Sequence, residues 1–185
     1  MYSTNKNSLL SLAVIFLLAG TLFVGCKGDD DAEPDGTDEE LITTLKMIFS
    51  QGTETLTYTF SDPDGDGGNA PTVDTVVLKA GATYTFDVQV SDESKNPAED
   101  ITEEITDEKD EHLFIYTVNG ANLTMTIVDQ DSNGQPVGLS GAAVTGATGT
   151  GTLNVVLKHE PDKTAADPGA TGETDIEVTF AVRVE

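Results

Sequence analysis

Two histidines, His112 and His159, are the only imidazoles in a chain of 185 residues, and each adjoins a glutamate. Glu111 precedes the first and Glu160 follows the second. Imidazole nitrogen with carboxylate oxygen is a donor set for zinc or another first-row divalent ion. The stretch before His112 is rich in acids, and at 100° per residue a helix there would set Ile101, Ile105, Glu108 and His112 on one stripe. His159 continues the alternation Leu153, Val155, Leu157, which turns its side chain toward the core side at a strand end. The spacing therefore predicts a shared metal position built from Glu108, Glu111, His112 and His159, at the point where two element ends meet. Neither an HxH nor an HExxH pattern occurs, so convergence depends on the fold.

Two loops have the opening of a calcium site. Asp62, Asp64 and Asp66 precede Gly67, and Asp129, Asp131 and Asn133 precede Gly134. Alternate oxygens before a glycine suit calcium, but the bidentate glutamate at position 12 is replaced by Val73 and Ser140. Asp, Asn and Gly also build ordinary turns by capping their own amides. The plain turn is the favoured reading of both loops, and the first is the better calcium candidate of the two.

Catalytic signatures are missing. Gly138-Leu139-Ser140-Gly141 is not a nucleophile elbow, and residues 146–151 lack the lysine of a phosphate loop. Acids are too abundant for any pair to stand out as a glycosidase pair. The single cysteine excludes an intramolecular disulfide, and the lack of tryptophan disfavours glycan stacking. The sequence reads as a binding protein, not an enzyme.

The elements that must position these groups begin after an export segment. Lys6 supplies a positive start, residues 9–18 are apolar, and the apolar run stops at Gly25-Cys26. That is signal-peptide length, short of the about 20 apolar residues of a spanning helix. Residues 1–25 read as a lipoprotein signal peptide, Cys26 as the lipidated first residue, and 26–40 as a flexible acidic tether too poor in apolar groups to order by burial. The lipid would tether the mature chain to a membrane.

Cys26 followed by Lys27, Gly28, Asp29, Asp30 and Asp31 resembles the acidic export signal of Bacteroidota-type surface lipoproteins. The stretches SDPDGDGGNAP at 61–71, PAEDITEEI at 97–105 and GETDI at 172–176 resemble a family of small surface lipoproteins of such bacteria. The resemblance implies an outer-membrane, cell-surface location and supplies no activity.

Composition fits that address. The chain has a formal charge of −24, and loss of residues 1–25 removes Lys6 and no acid. Such a surface repels nucleic acid and favours cations. Its bland consequence is solubility.

The remaining residues, 41–185, are enough for one domain with a core. Period-two alternation runs through Leu45-Met47-Phe49, Leu56-Tyr58-Phe60, Tyr84-Phe86-Val88-Val90, Leu123-Met125-Ile127, Leu153-Val155-Leu157 and Ile176-Val178-Phe180-Val182-Val184. Residues 73–78 and 113–118 are more uniformly apolar, as central strands would be. Eight or nine short strands predict an all-β, antiparallel, immunoglobulin-like β-sandwich. One short acidic helix interrupts it, with Asn96 as cap, Pro97 in its first turn and an end near Glu111. The functional expectation is a surface lipoprotein that binds divalent cations, zinc or calcium, beside an outer-membrane receptor. The alternative is a structural or adhesive accessory module whose calcium, at most, stiffens loops.

Overall fold

The computed structural model describes residues 41–65 and 67–185. The signal segment 1–25, Cys26, the export residues 27–31, the tether and Asp66 lie outside the described residues.

Eleven strands carry the domain: β1 Thr44–Gln51, β2 Glu54–Ser61, β3 Thr72–Val73, β4 Thr75–Leu78, β5 Thr83–Asp92, β6 Glu99–Asp100, β7 His112–Asn119, β8 Leu123–Ile127, β9 Ser140–Thr145, β10 Gly149–His159 and β11 Glu173–Val184. A single α-helix, α1 Ile101–Asp107, lies between β6 and β7. The strands form two layers, one ordered β3-β2-β1-β5-β9-β8 with β6 added to β5, the other β4-β11-β10-β7. Every pairing is antiparallel except β4 with β11. This is the antiparallel sandwich with one short helix that the alternation predicts.

The core lies between the layers because every second residue faces inward. Leu45, Met47 and Phe49 on β1 are fully buried and pair with Val90, Val88 and Phe86 on β5. Leu153, Val155 and Leu157 on β10 stand opposite Phe180, Val178 and Ile176 on β11. Each such side chain contributes about 1.5–3 kcal/mol on burial. Phe86 of one layer meets Tyr116 of the other edge to face, with ring centroids 5.0 Å apart. The Tyr116 hydroxyl donates to the Gly138 carbonyl, and burial pushes its phenol well above its ordinary range.

Four details depart from the sequence reading. The run 73–78 is not one central strand, because at Asp74 it passes from one layer to the other, β3 pairing with β2 and β4 with β11. The run 113–118 belongs to β7 at the rim of the smaller layer, where Leu113 is buried and Ile115 half-buried on its outer side. There Phe114 N–H donates to the Val137 carbonyl, so the open strand edge is sealed. β9 carried no large apolar signal because it runs under an aromatic ring. A Cβ on Gly141 would sit 2.4 Å from the Phe86 ring.

The helix also starts later than expected. Asp100 caps it, accepting from Thr102 N–H, while Glu99 and Asp100 are still paired with β5. A backbone held in a sheet ladder at 99–100 cannot be helical, so Asn96 and Pro97 fall in the loop before it. Ile101 and Ile105 are buried as the four-residue spacing requires.

Candidate metal centre at the end of the smaller sheet

His112 opens β7 and His159 closes β10, and the antiparallel register sets them directly opposite each other. They end a row of inward-facing pairs that runs Val118–Leu153, Tyr116–Val155 and Phe114–Leu157. The two rings therefore replace one layer of the core at its rim. They stack with centroids 4.7 Å apart and planes 22° from parallel.

The tautomer of His112 follows from its neighbour. Glu108 caps the C-terminal end of α1, and His112 Nδ1 lies 3.2 Å from the Glu108 carbonyl oxygen. A carbonyl can only accept, so Nδ1 carries a proton, and Nε2 is the nitrogen left for another partner. His112 is 0% exposed, and its Nε2 has no hydrogen-bond partner among the described residues. Buried polar atoms normally find partners, and one left alone costs about 1–3 kcal/mol. A ring held through Nδ1–H by a backbone carbonyl, with Nε2 left for an ion, is a frequent arrangement of metal-bound histidine.

The third member is Asp175. Leu157 pairs with Ile176 and Lys158 with Thr174, so Asp175 is an extra residue on β11 with no counterpart in β10. Strict alternation from Ile176 would turn it outward. The bulge re-aims it, as bulges do. Its side chain is 2% exposed, and Oδ1 lies 3.9 Å from His159 Nδ1. One ligand atom each from His112, His159 and Asp175 falls within 4.8 Å of the others. Zinc needs donors at about 2.0–2.2 Å, which sets tetrahedral ligand atoms about 3.3–3.6 Å apart. Closing that gap requires the stacked rings to turn out of their stack so that their lone pairs converge on one point. His159, with its side chain 18% exposed, has the room to turn.

A second group consists of Glu111, His159 and Glu160, again with ligand atoms within 4.8 Å. Both glutamates are exposed. The Glu160 N–H donates to the Glu111 carbonyl at 2.7 Å, and Glu160 has φ +48°. Gly172 packs against this corner. A Cβ there would lie 2.2 Å from the His159 carbonyl oxygen, and φ at Gly172 is +65°.

Of the expected set, the fold brings His112 to His159, while Glu111 meets His159 in the separate, exposed group and not His112. Glu108 contributes its carbonyl, and its carboxylate belongs to neither group. Asp175 is the candidate ligand that the sequence did not reveal.

Asp64 in the first loop and Asp129 and Asp131 in the second are engaged by the protein's own donors. Asp64 Oδ2 accepts from the backbone and side-chain amides of Asn69, at 2.8 and 2.7 Å, and these bonds hold its carboxyl below the usual range. Asp62 donates its N–H to the Thr43 carbonyl, and Asp66 lies outside the described residues. In the second loop a lysine stands where a cation would. Lys163 Nζ is 3.1 Å from Asp131 Oδ2, while Asp131 Oδ1 accepts from Asn133 and Gln135 N–H. Both side chains of the ion pair are almost fully buried. Burial raises the Asp131 carboxyl, but the Gln135 amide, the Lys163 ammonium and the Asn133 amide outweigh it and hold the group below its ordinary value. Asp129 is likewise engaged by the amides of Gly138 and Leu139.

Comparison with protein-family models, curated proteins and solved structures finds no match.

Proposed function

We propose that this protein is a non-catalytic divalent-cation binder, with His112, His159 and Asp175 as its ligands and zinc as the favoured ion. The observation that carries the reading is the buried His112 Nε2, which has no partner among the described residues and neighbours a second imidazole and a carboxylate. Three protein ligands leave one position for water or for a ligand atom from a partner, the arrangement of an exchangeable site. Imidazole donors favour zinc over calcium, which takes oxygen ligands.

The module's address belongs to the same proposal. A lipid on Cys26 would hold it at the outer membrane, the acidic run Asp29, Asp30, Asp31 would direct it to the cell surface, and an outer-membrane receptor would take the ion from it. The rival reading, a structural or adhesive accessory module, draws on the acidic loops whose carboxylates are already held by amides and Lys163.

Metal analysis and zinc titration of detergent-extracted protein purified without a histidine tag decide between them. The cation reading expects one zinc per chain, lost in Asp175→Asn. Protein that takes up no zinc from a competing chelator leaves the accessory module standing.

A further inference from the structure

We propose that Glu111, His159 and Glu160 form an outer station through which a divalent cation passes to the His112–His159–Asp175 position, His159 serving both. The inference rests on the cation-binding reading above and adds its route.

The inner position is closed on two of its three sides. His112 is 0% exposed and the Asp175 side chain 2%, so His159, at 18%, is the one inner ligand with access to solvent. An ion must arrive past it. On the solvent side of that ring stand two exposed carboxylates whose ligand atoms lie within 4.8 Å of it and of each other. On the inner side waits the unpartnered Nε2 of His112. One imidazole therefore belongs to two ligand sets, one wet and one dry.

The local backbone explains why both glutamates stand there. Glu111 and Glu160 sit one step beyond the His112–His159 pair, joined by the hydrogen bond from Glu160 N–H to the Glu111 carbonyl. In a regular pleat both side chains would face away from the histidines. Glu160 instead adopts φ +48°, which ends the alternation of β10 and turns the chain. Close approach of Gly172 to the His159 and Glu160 backbone braces that corner.

The chemistry of transfer suits the order of ligands. A hydrated cation meets oxygen donors first, exchanging water for carboxylate at the exposed station, where the negative surface concentrates it. It then trades Glu111 and Glu160 for His112 and Asp175, His159 supplying a ligand atom to each set.

Stopped-flow zinc loading of the metal-free full-length protein in detergent, followed by release to excess chelator, tests this. Glu111→Gln with Glu160→Gln should slow loading and release alike, by about tenfold, and leave equilibrium affinity within about threefold of wild type. A charge-matched control, Glu103→Gln with Asp107→Asn on the exposed side of α1, should change the rates far less. Equal slowing in both double variants overturns the station, because it reduces the effect to general charge. Unchanged loading in the Glu111/Glu160 variant also overturns it. So does a loss of affinity as large as that of Asp175→Asn, which would make the glutamates permanent ligands. Wild type that takes up no zinc is the separate failure of the underlying reading.

Discussion

Replacing His112 by leucine separates a metal ligand from a packing group, because the two roles predict opposite signs. The ring is fully buried with Nε2 unpartnered among the described residues, a state that costs about 1–3 kcal/mol. Leucine removes that cost. It also removes the Nδ1–H bond to the Glu108 carbonyl, a net loss of about 0.5–1.5 kcal/mol. That carbonyl is not orphaned, since Glu111 N–H donates to it at 2.8 Å. Leucine continues the inward apolar row of Phe114 and Tyr116, so the metal-free variant should lie between about 0.5 kcal/mol less and about 2.5 kcal/mol more stable. Zinc at a hundredfold over Kd adds about 2.7 kcal/mol to wild type and nothing to the variant. For a domain of this size 1 kcal/mol moves Tm by about 2–4 °C, so wild type should gain roughly 5–11 °C. Thermal melts should therefore bring the two proteins close together or favour the variant in chelator, and favour wild type in zinc. A variant that loses more than about 3 kcal/mol in chelator, with a wild type indifferent to zinc, would refute the reasoning and make His112 an ordinary core ring.

Gly172→Ala should weaken zinc binding without touching a ligand, since its Cβ would press on the His159 carbonyl. Gly52→Ala, equally left-handed at φ +60° but with open space around it, should lower Tm and leave zinc titration unchanged. Asp131→Asn should lower Tm at neutral pH by several degrees. The folded carboxyl lies below its unfolded value of about 3.9, so its contribution is present above that pH and fades as pH falls through the folded pKa. Melts of wild type and variant should then converge in acid, and a constant gap from pH 7 to pH 2 would contradict this. Cys26→Ser should release the protein from the membrane fraction, and wild-type protein that resists acyl labelling would remove the anchor.

The layers were legible because burial acts on every second residue, and large side chains record it. Met47, Phe86, Val155 and Phe180 mark their strands from composition alone. What escaped the sequence was governed by close approach. β9 reads as Ser, Gly and Ala because Phe86 covers it, so its lack of large side chains is a packing requirement and not a weak strand. The division of β3 from β4 at Asp74 depends on which layer each half finds a partner in, which no local pattern encodes. Asn96-Pro97 carried the composition of a helix start, yet the ladder to β5 overrode it and moved the cap to Asp100.

The site divides along the same line. His112 and His159 were placed at element ends by alternation and acid spacing, and the register then made them opposite partners. Asp175 was hidden because alternation from Ile176 assigns it to the outer face, and only the bulge reverses that assignment. A bulge sits where one strand needs an extra residue to change what it presents. Here the extra residue is a carboxylate, set beside two imidazoles at the rim of an apolar layer, where a bulge serving packing alone would be expected to carry an apolar or small side chain. The physical oddities of this end of the sheet are therefore concentrated on one corner: a bulged aspartate, an unpartnered imidazole nitrogen, a left-handed glutamate and a glycine that admits no Cβ. A core rim closed for stability would have ended in another Leu–Leu pair. That this one ends in donors is the observation on which the cation proposal rests.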